Sequence, residues 1–112
     1  MSERKAWRST YKIHRLAETE VTYLLTTGGH NAGIVSEPDH RARSFQVATA
    51  AADASHIDPD TWLTTAPRKN GSWWPEWSAW LKARSGAPVS PPAFPATDSR
   101  LAAAPGRYVF HP

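Results

Sequence analysis

The sequence predicts an α/β fragment with one or two strands, about three helices and a proline-rich irregular tail. A segment with helical periodicity leads directly into a short apolar strand. Later in the chain, tryptophans recur at helical spacing, and prolines concentrate after Gly86. At 112 residues the chain is one domain or part of one, too short for a complete multi-stranded α/β sheet.

The first half of the chain predicts a helix followed by a strand. Trp7, Tyr11 and His14 share one helical face within Ala6–Leu16. The strand Val21–Thr26 is a continuous apolar run, which indicates a strand covered on both faces, as in parallel sheets. Ser44–Thr49 is a candidate for a second short strand.

Two further helices are expected in the second half. Asp58 is placed to cap a short helix that has Pro59 at its first position and ends before Pro67. After a turn at Asn70-Gly71, the strongest helix signal in the chain covers Ser72–Ser85.

Tryptophans dominate one face of this last helix, at positions 73, 77 and 80. Such spacing suits a ligand platform, but it is more typical of an amphipathic helix packed on a larger body. We therefore divide the chain into residues 1–86, a partial α/β unit, and residues 87–112, a proline-rich irregular tail packing on it.

The composition excludes several classes of protein. With no cysteine, the chain cannot form disulfides, thiolate metal sites or a cysteine nucleophile, which fits a cytoplasmic protein. The net charge of +3 would attract an anionic partner, but the basic residues are scattered and are more typical of ordinary surface. We expect no nucleic-acid partner and no membrane span.

His30 is the candidate catalytic residue. It follows the predicted strand and the pair Gly28-Gly29, where a sharp turn can present an imidazole to a cleft. A pKa near the ordinary value of about 6.5 suits a general base at neutral pH. The alternative is a histidine that only packs and forms local hydrogen bonds.

The groups that a catalytic histidine needs are not evident from spacing. No serine lies in a nucleophile-elbow motif, and no pattern selects one of the four carboxylates weighed as its orienting partner: Glu37, Asp39, Asp53 and Asp58. A metal site built from His30, Asp39, His40 and His56 is conceivable, but no metal-binding motif supports it. We expect neither a metal nor a cofactor.

Several motifs, in order, resemble the C-terminal region of polyhydroxyalkanoate synthases, members of the α/β-hydrolase superfamily. They are WRSTYK from Trp7, VTYLLTTGGHNAGIVSEP from Val21, DPDTWL from Asp58, GSWWPEWSAWL from Gly71 and APGRYV from Ala104. These synthases are acyltransferases that polymerise hydroxyacyl-coenzyme A thioesters. The resemblance therefore implies the C-terminal part of an α/β-hydrolase fold and a place in polyester biosynthesis.

The resemblance implies a cysteine–histidine–aspartate triad, of which only the histidine carries over, to His30. Trp7 matches the tryptophan that ends the family's aspartate segment, so the aspartate would fall at about Ser2, where the match fails. Glu3 is a carboxylate one position away, and the cysteine has no counterpart in this sequence.

We therefore expect a fragment that is inactive alone, either a truncated remnant or a complementing subunit. Its partner would be an N-terminal synthase portion or a second copy, with hydroxyacyl-coenzyme A bound only in the completed enzyme. The alternative is a non-catalytic module that binds a polyester granule or a partner through exposed tryptophans.

Overall fold

The computed structural model describes residues 3–29, 31–93 and 102–112, with side chains from residue 6 onward. Four α-helices lie in this part of the chain: α1 (Glu3–Tyr11), α2 (Ile13–Leu16), α3 (Pro59–Thr65) and α4 (Trp74–Ala83). The strands are β1 (Val21–Thr26), β2 (Ser44–Ala50) and β3 (Arg68–Asn70), and a 3-10 helix covers Tyr108–Phe110.

The three strands form one antiparallel sheet in the order β1-β2-β3. The β1–β2 ladder runs from Val21 opposite Ala50 to Thr26 opposite Phe45. β3 pairs with the start of β2, so one residue of the predicted Asn70-Gly71 turn belongs to a third strand. The expectation of one or two strands is therefore corrected to three.

The prediction of a parallel-type environment for β1 is wrong, because its only strand neighbour among the described residues is antiparallel. All six of its residues are half-buried. Helices lie on both sides of the sheet, and this explains why neither face of β1 needs polar residues in strict alternation. The general expectation of an α/β fragment is confirmed.

One face of the sheet packs on α1 and α3 through an aromatic cluster of Trp7, Tyr11, Tyr23 and Trp62. Their ring centroids lie 5.3 to 6.5 Å apart. Tyr11 and Trp62 are only 3% and 4% exposed. Edge-to-face contacts of this kind stabilise a core beyond the area that they bury.

The other face of the sheet lies next to α4. Thr22, Leu24 and Val47 line a shallow groove of about 220 Å³ with tryptophans of that helix. No residue of α4 is buried, and the side chains of Trp74, Trp77 and Trp80 are 38–39% exposed. The sequence predicts that this helix packs on a larger body, but the rest of the described chain covers its tryptophans only in part.

The helix boundaries follow their capping groups. The predicted helix at residues 6–16 is divided into α1 and α2 at Lys12. Asp58 accepts a hydrogen bond from the Thr61 amide at 2.9 Å, which confirms it as the N-cap of α3. α4 is shorter than the predicted Ser72–Ser85 helix, although the Ser72 hydroxyl does accept a hydrogen bond from the Trp74 amide at 3.2 Å.

The molecule is open for its size. Its accessible surface of 9415 Å² compares with about 6100 Å² for a compact protein of 12.4 kDa. Its radius of gyration of 20.0 Å compares with about 13 Å for a compact domain of this length. The chain alone thus buries a small core.

The tail contributes little to that core. Tyr108 and Phe110 are 88% and 79% exposed, so these two side chains do not anchor it. The division at residue 86 stays a prediction. Within the described ranges, no helix is long and apolar enough to cross a membrane.

Candidate active site: the histidine loop

The loop from Thr27 to Pro38 leaves the end of β1 and carries the predicted catalytic residue. His30 itself lies outside the described residues, so its role stays a prediction. Thr27 continues the sheet, since its amide donates to the Ser44 carbonyl at 2.9 Å and its hydroxyl accepts from the Ser44 amide at 2.9 Å. The chain then turns at Gly28, which has a φ of +99° that favours glycine.

The loop is closed by its own hydrogen bonds. The Ala32 amide donates to the Gly29 carbonyl at 3.0 Å, and the Val35 amide donates to the Asn31 carbonyl at 2.9 Å. The Ser36 hydroxyl donates back to the Ala32 carbonyl at 2.9 Å. These bonds fix the backbone on both sides of position 30.

Glycine at position 33 lets the loop fold against the end of β1. A β-carbon there would lie inside contact distance of the Thr26 hydroxyl oxygen and the Thr27 carbonyl oxygen. Gly33 is buried. This close approach gives a physical reason for the last glycine of the Gly-His-Asn-Ala-Gly sequence.

Arg43 packs on the loop at Gly28. A β-carbon on Gly28 would lie 2.8 Å from the Arg43 Nη1 atom, so the glycine also makes room for the guanidinium. The Nε of Arg43 is buried and has no hydrogen-bond partner in the described part of the chain. No local sequence pattern indicates this contact.

The segment just before and at the start of α4 fastens the loop. The Ser72 hydroxyl donates to the Ser36 carbonyl at 2.6 Å, and both groups are in buried residues. The indoles of Trp73 and Trp74 both donate to the Ile34 carbonyl, at 2.8 and 2.9 Å. We name Ser72–Trp74 the anchor segment. The sequence pattern places Ser72 at the start of the predicted helix and Trp73 on its tryptophan face, and it predicts no contact of either with the loop.

A groove of about 970 Å³ lies beside the loop. Gly28 and Gly29 line it from the loop, Leu24 and Leu25 from β1, and Trp7 from α1. Its walls are mostly apolar, as in sites that take hydrophobic ligands. The loop therefore borders a space large enough for a substrate or for a segment of another chain.

Of the four carboxylates weighed, Glu37 lies within the loop. It accepts a hydrogen bond from His40 at 3.0 Å. A backbone hydrogen bond at Glu37, together with His40, lowers the pKa of this carboxyl. Asp58 is occupied as the cap of α3, and its pKa is lowered by hydrogen bonds from Thr61.

The conceivable metal site is not assembled in the described part of the chain. His40 bonds Glu37, whereas His56 accepts a hydrogen bond from Arg15 at 3.3 Å. No group of three or more histidine, aspartate or glutamate side chains placed to hold a metal is present among the described residues, and the sequence has no cysteine.

Fold and loop together define a small α/β fragment in which a strand ends in a glycine-rich, histidine-bearing loop. No family model matches the chain. The chain is 35% identical over 105 residues to the poly(3-hydroxyalkanoate) polymerase subunit PhaC of Cupriavidus necator, covering 92% of this chain and 17% of that protein. It is 34% identical over 104 residues to the subunit of the same name from Rhizobium etli, covering 91% and 16%.

Poly(3-hydroxyalkanoate) polymerase 2 of Ectopseudomonas oleovorans is 34% identical over 106 residues, covering 92% of this chain and 18% of that polymerase. The chain is thus a relative of the polyhydroxyalkanoate synthases and corresponds to their C-terminal region. It spans about a sixth of the length of the curated relatives it matches.

Proposed function

We propose that the chain supplies the general-base histidine of a polyhydroxyalkanoate synthase-type acyltransferase of the α/β-hydrolase fold, and that a cysteine-bearing chain completes the enzyme. The observation that carries the proposal is the similarity to poly(3-hydroxyalkanoate) polymerases over about nine-tenths of this chain. The architecture of the loop supports it, since Gly28 has a φ of +99° that favours glycine and a β-carbon on Gly33 would collide with Thr26 and Thr27.

His30 would act on a thiol supplied in trans. Its imidazole takes the proton of the cysteine, and the thiolate attacks the carbonyl carbon of the hydroxyacyl thioester. The carbon–sulfur bond to coenzyme A then breaks, and the histidine returns the proton to the departing thiolate. The acyl group is left on the cysteine, and free coenzyme A is released.

We propose that the complementing chain docks along the edge of β1. β1 pairs on one side only with a described strand. Its six residues, VTYLLT, include none of the charged residues or prolines that commonly protect an exposed strand edge. The groove beside the histidine loop runs along the same strand, so a strand added there would end near the site.

The test is turnover of hydroxybutyryl-coenzyme A by the purified chain, alone and mixed with an N-terminal portion of the Cupriavidus necator relative. That portion stops where the match with this chain begins. We expect release of coenzyme A only in the mixture. His30→Ala should abolish it, because the thiol then loses its base.

His40→Ala is the matched control, since His40 also follows β1 and, among the described residues, its side chain hydrogen-bonds only Glu37. It should leave turnover in the mixture unchanged. Absence of turnover in the mixture, with both chains folded and bound to one another, would refute the catalytic role. If the chain binds only a second copy of itself, the edge of β1 pairs two copies of this chain and not this chain with the N-terminal portion.

A second candidate function rests on the exposed tryptophans of α4. A non-catalytic module would use Trp77 and Trp80 to bind an apolar surface such as a polyester granule. Sedimentation with polyhydroxybutyrate granules separates the two candidates. A binding module loses affinity in Trp77→Ala and Trp80→Ala but not in His30→Ala.

A further inference from the structure

We propose that the anchor segment Ser72–Trp74 is a positioning device for the histidine loop, acting through the Ile34 and Ser36 carbonyls. This inference rests on the proposed function only for the role of His30 as the general base. Two indole N–H groups converge on the Ile34 oxygen at 2.8 and 2.9 Å, which uses both of its lone pairs. Nearly forty residues of chain separate these donors from their acceptor.

The arrangement is specific to the loop. Trp77 packs on Trp73 with ring centroids 5.0 Å apart, and its indole donates no hydrogen bond within the described part of the chain. Within the described ranges, Trp73 and Trp74 are the tryptophans whose indole N–H groups donate to the loop. The two residues are neighbours in sequence, so satisfying one acceptor fixes both rings.

Ser72 adds a third connection to the same side of the loop. Its hydroxyl donates to the Ser36 carbonyl at 2.6 Å and accepts from the Trp74 amide at 3.2 Å. The amide of the preceding residue, Gly71, donates to the Arg43 carbonyl at 2.7 Å. One short segment therefore ties together the loop that follows β1 and the residue that packs on Gly28.

These connections act where the loop closes. The Ile34 and Val35 amides both donate to the Asn31 carbonyl, next to position 30. When the indoles hold the Ile34 oxygen, this turn cannot open without breaking two further hydrogen bonds. The described backbone next to position 30 is thereby coupled to the start of α4.

The test is amide hydrogen exchange in the isolated full-length chain, followed by NMR. Trp73→Phe and Trp74→Phe each remove one donor while keeping an aromatic ring, and the double variant removes both. We expect exchange at Ile34 and Val35 to rise by about threefold in each single variant and about tenfold in the double variant. Exchange at Tyr23, within the β1–β2 ladder, should stay unchanged.

Trp80→Phe is the matched control, because it makes the same substitution on α4 without removing a hydrogen bond to the loop and without altering Trp77, whose ring contacts Trp73 and Trp74. It should leave exchange at Ile34 and Val35 unchanged. The ring signal of His30 should shift in the double variant and not in this control. Equal exchange in the double variant and the control, or a rise at Tyr23 as large as that at Ile34, would overturn the proposal.

A kinetic readout separates this inference from the proposed function. In the complemented mixture, the double variant should lower kcat with KM unchanged, because the loop would be less often in its active position. If the wild-type mixture shows no turnover, the proposed function fails while the exchange result still decides the role of the anchor segment. A variant with faster amide exchange in the loop but an unchanged kcat would show that the anchor segment does not position His30.

Discussion

Single residues set the shape of the histidine loop, and Gly33 is the clearest case. A methyl group there would collide with the Thr26 side chain and with the Thr27 backbone, neither of which can move without disturbing the end of β1. We expect Gly33→Ala to destabilise the folded chain by about 1–3 kcal/mol, the usual cost of overpacking a tight site. Urea denaturation followed by circular dichroism measures this loss.

Gly86→Ala is the matched control for that substitution. A β-carbon at Gly86 would meet nothing within 4 Å in the folded chain. Gly86→Ala therefore restricts the unfolded chain in the same way as Gly33→Ala, but it causes no collision in the folded chain. Its unfolding midpoint should equal or exceed that of the unmodified chain. An unchanged midpoint in Gly33→Ala would show that the loop relaxes away from β1.

At the scale of elements, the edge of β1 decides whether a second chain can dock. The Thr27–Ser44 pair is hydrogen-bonded, so alternation along the ladder makes Leu24–Val47 a non-hydrogen-bonded pair. Accordingly, the Val47 amide donates to the Pro67 carbonyl at 3.2 Å, away from β1. The Leu24 amide then points to the open edge of the sheet.

Leu24→Pro should therefore block docking while leaving the β1–β2 ladder intact, because proline is tolerated where a strand amide faces outward. We expect at least a tenfold weaker affinity for the N-terminal synthase portion, measured by isothermal titration calorimetry. Leu24→Ala removes the same side chain but keeps the amide, and should bind much more tightly than Leu24→Pro. Equal affinities for the two variants would place the interface elsewhere.

Local patterns predict elements but not their long-range contacts. The apolar run of β1 and the Asp58 cap of α3 could be read correctly, because each depends on neighbouring residues. β3 could not, since Arg-Lys-Asn is charged and aperiodic and becomes a strand only through pairing with β2. The contact between Ile34 and the tryptophans at the start of α4 was missed for a related reason, as it joins segments that are nearly forty residues apart.

At the scale of the whole molecule, the large solvent-accessible surface and small core limit the free energy of unfolding. Only three apolar residues are buried in the described part of the chain, namely Tyr11, Phe45 and Trp62. Because the denaturant slope of unfolding scales with the surface newly exposed, the isolated chain should unfold in urea with a slope near the low end of the usual range, about 1 kcal/mol/M. A steeper transition would mean that the chain is more compact in solution.

Association should then stabilise the chain by mass action, since a partner that binds only the folded state shifts the unfolding equilibrium. At a hundredfold excess over the dissociation constant, the N-terminal synthase portion should add about 2.7 kcal/mol to the free energy of unfolding. Amide exchange at Tyr23, within the β1–β2 ladder, measures this gain on the present chain alone when it is followed in the mixture. His30→Ala should gain the same stabilisation while giving no turnover, because completing the sheet and activating the thiol depend on different groups. Loss of both properties in His30→Ala would instead assign the histidine to the packing of the loop.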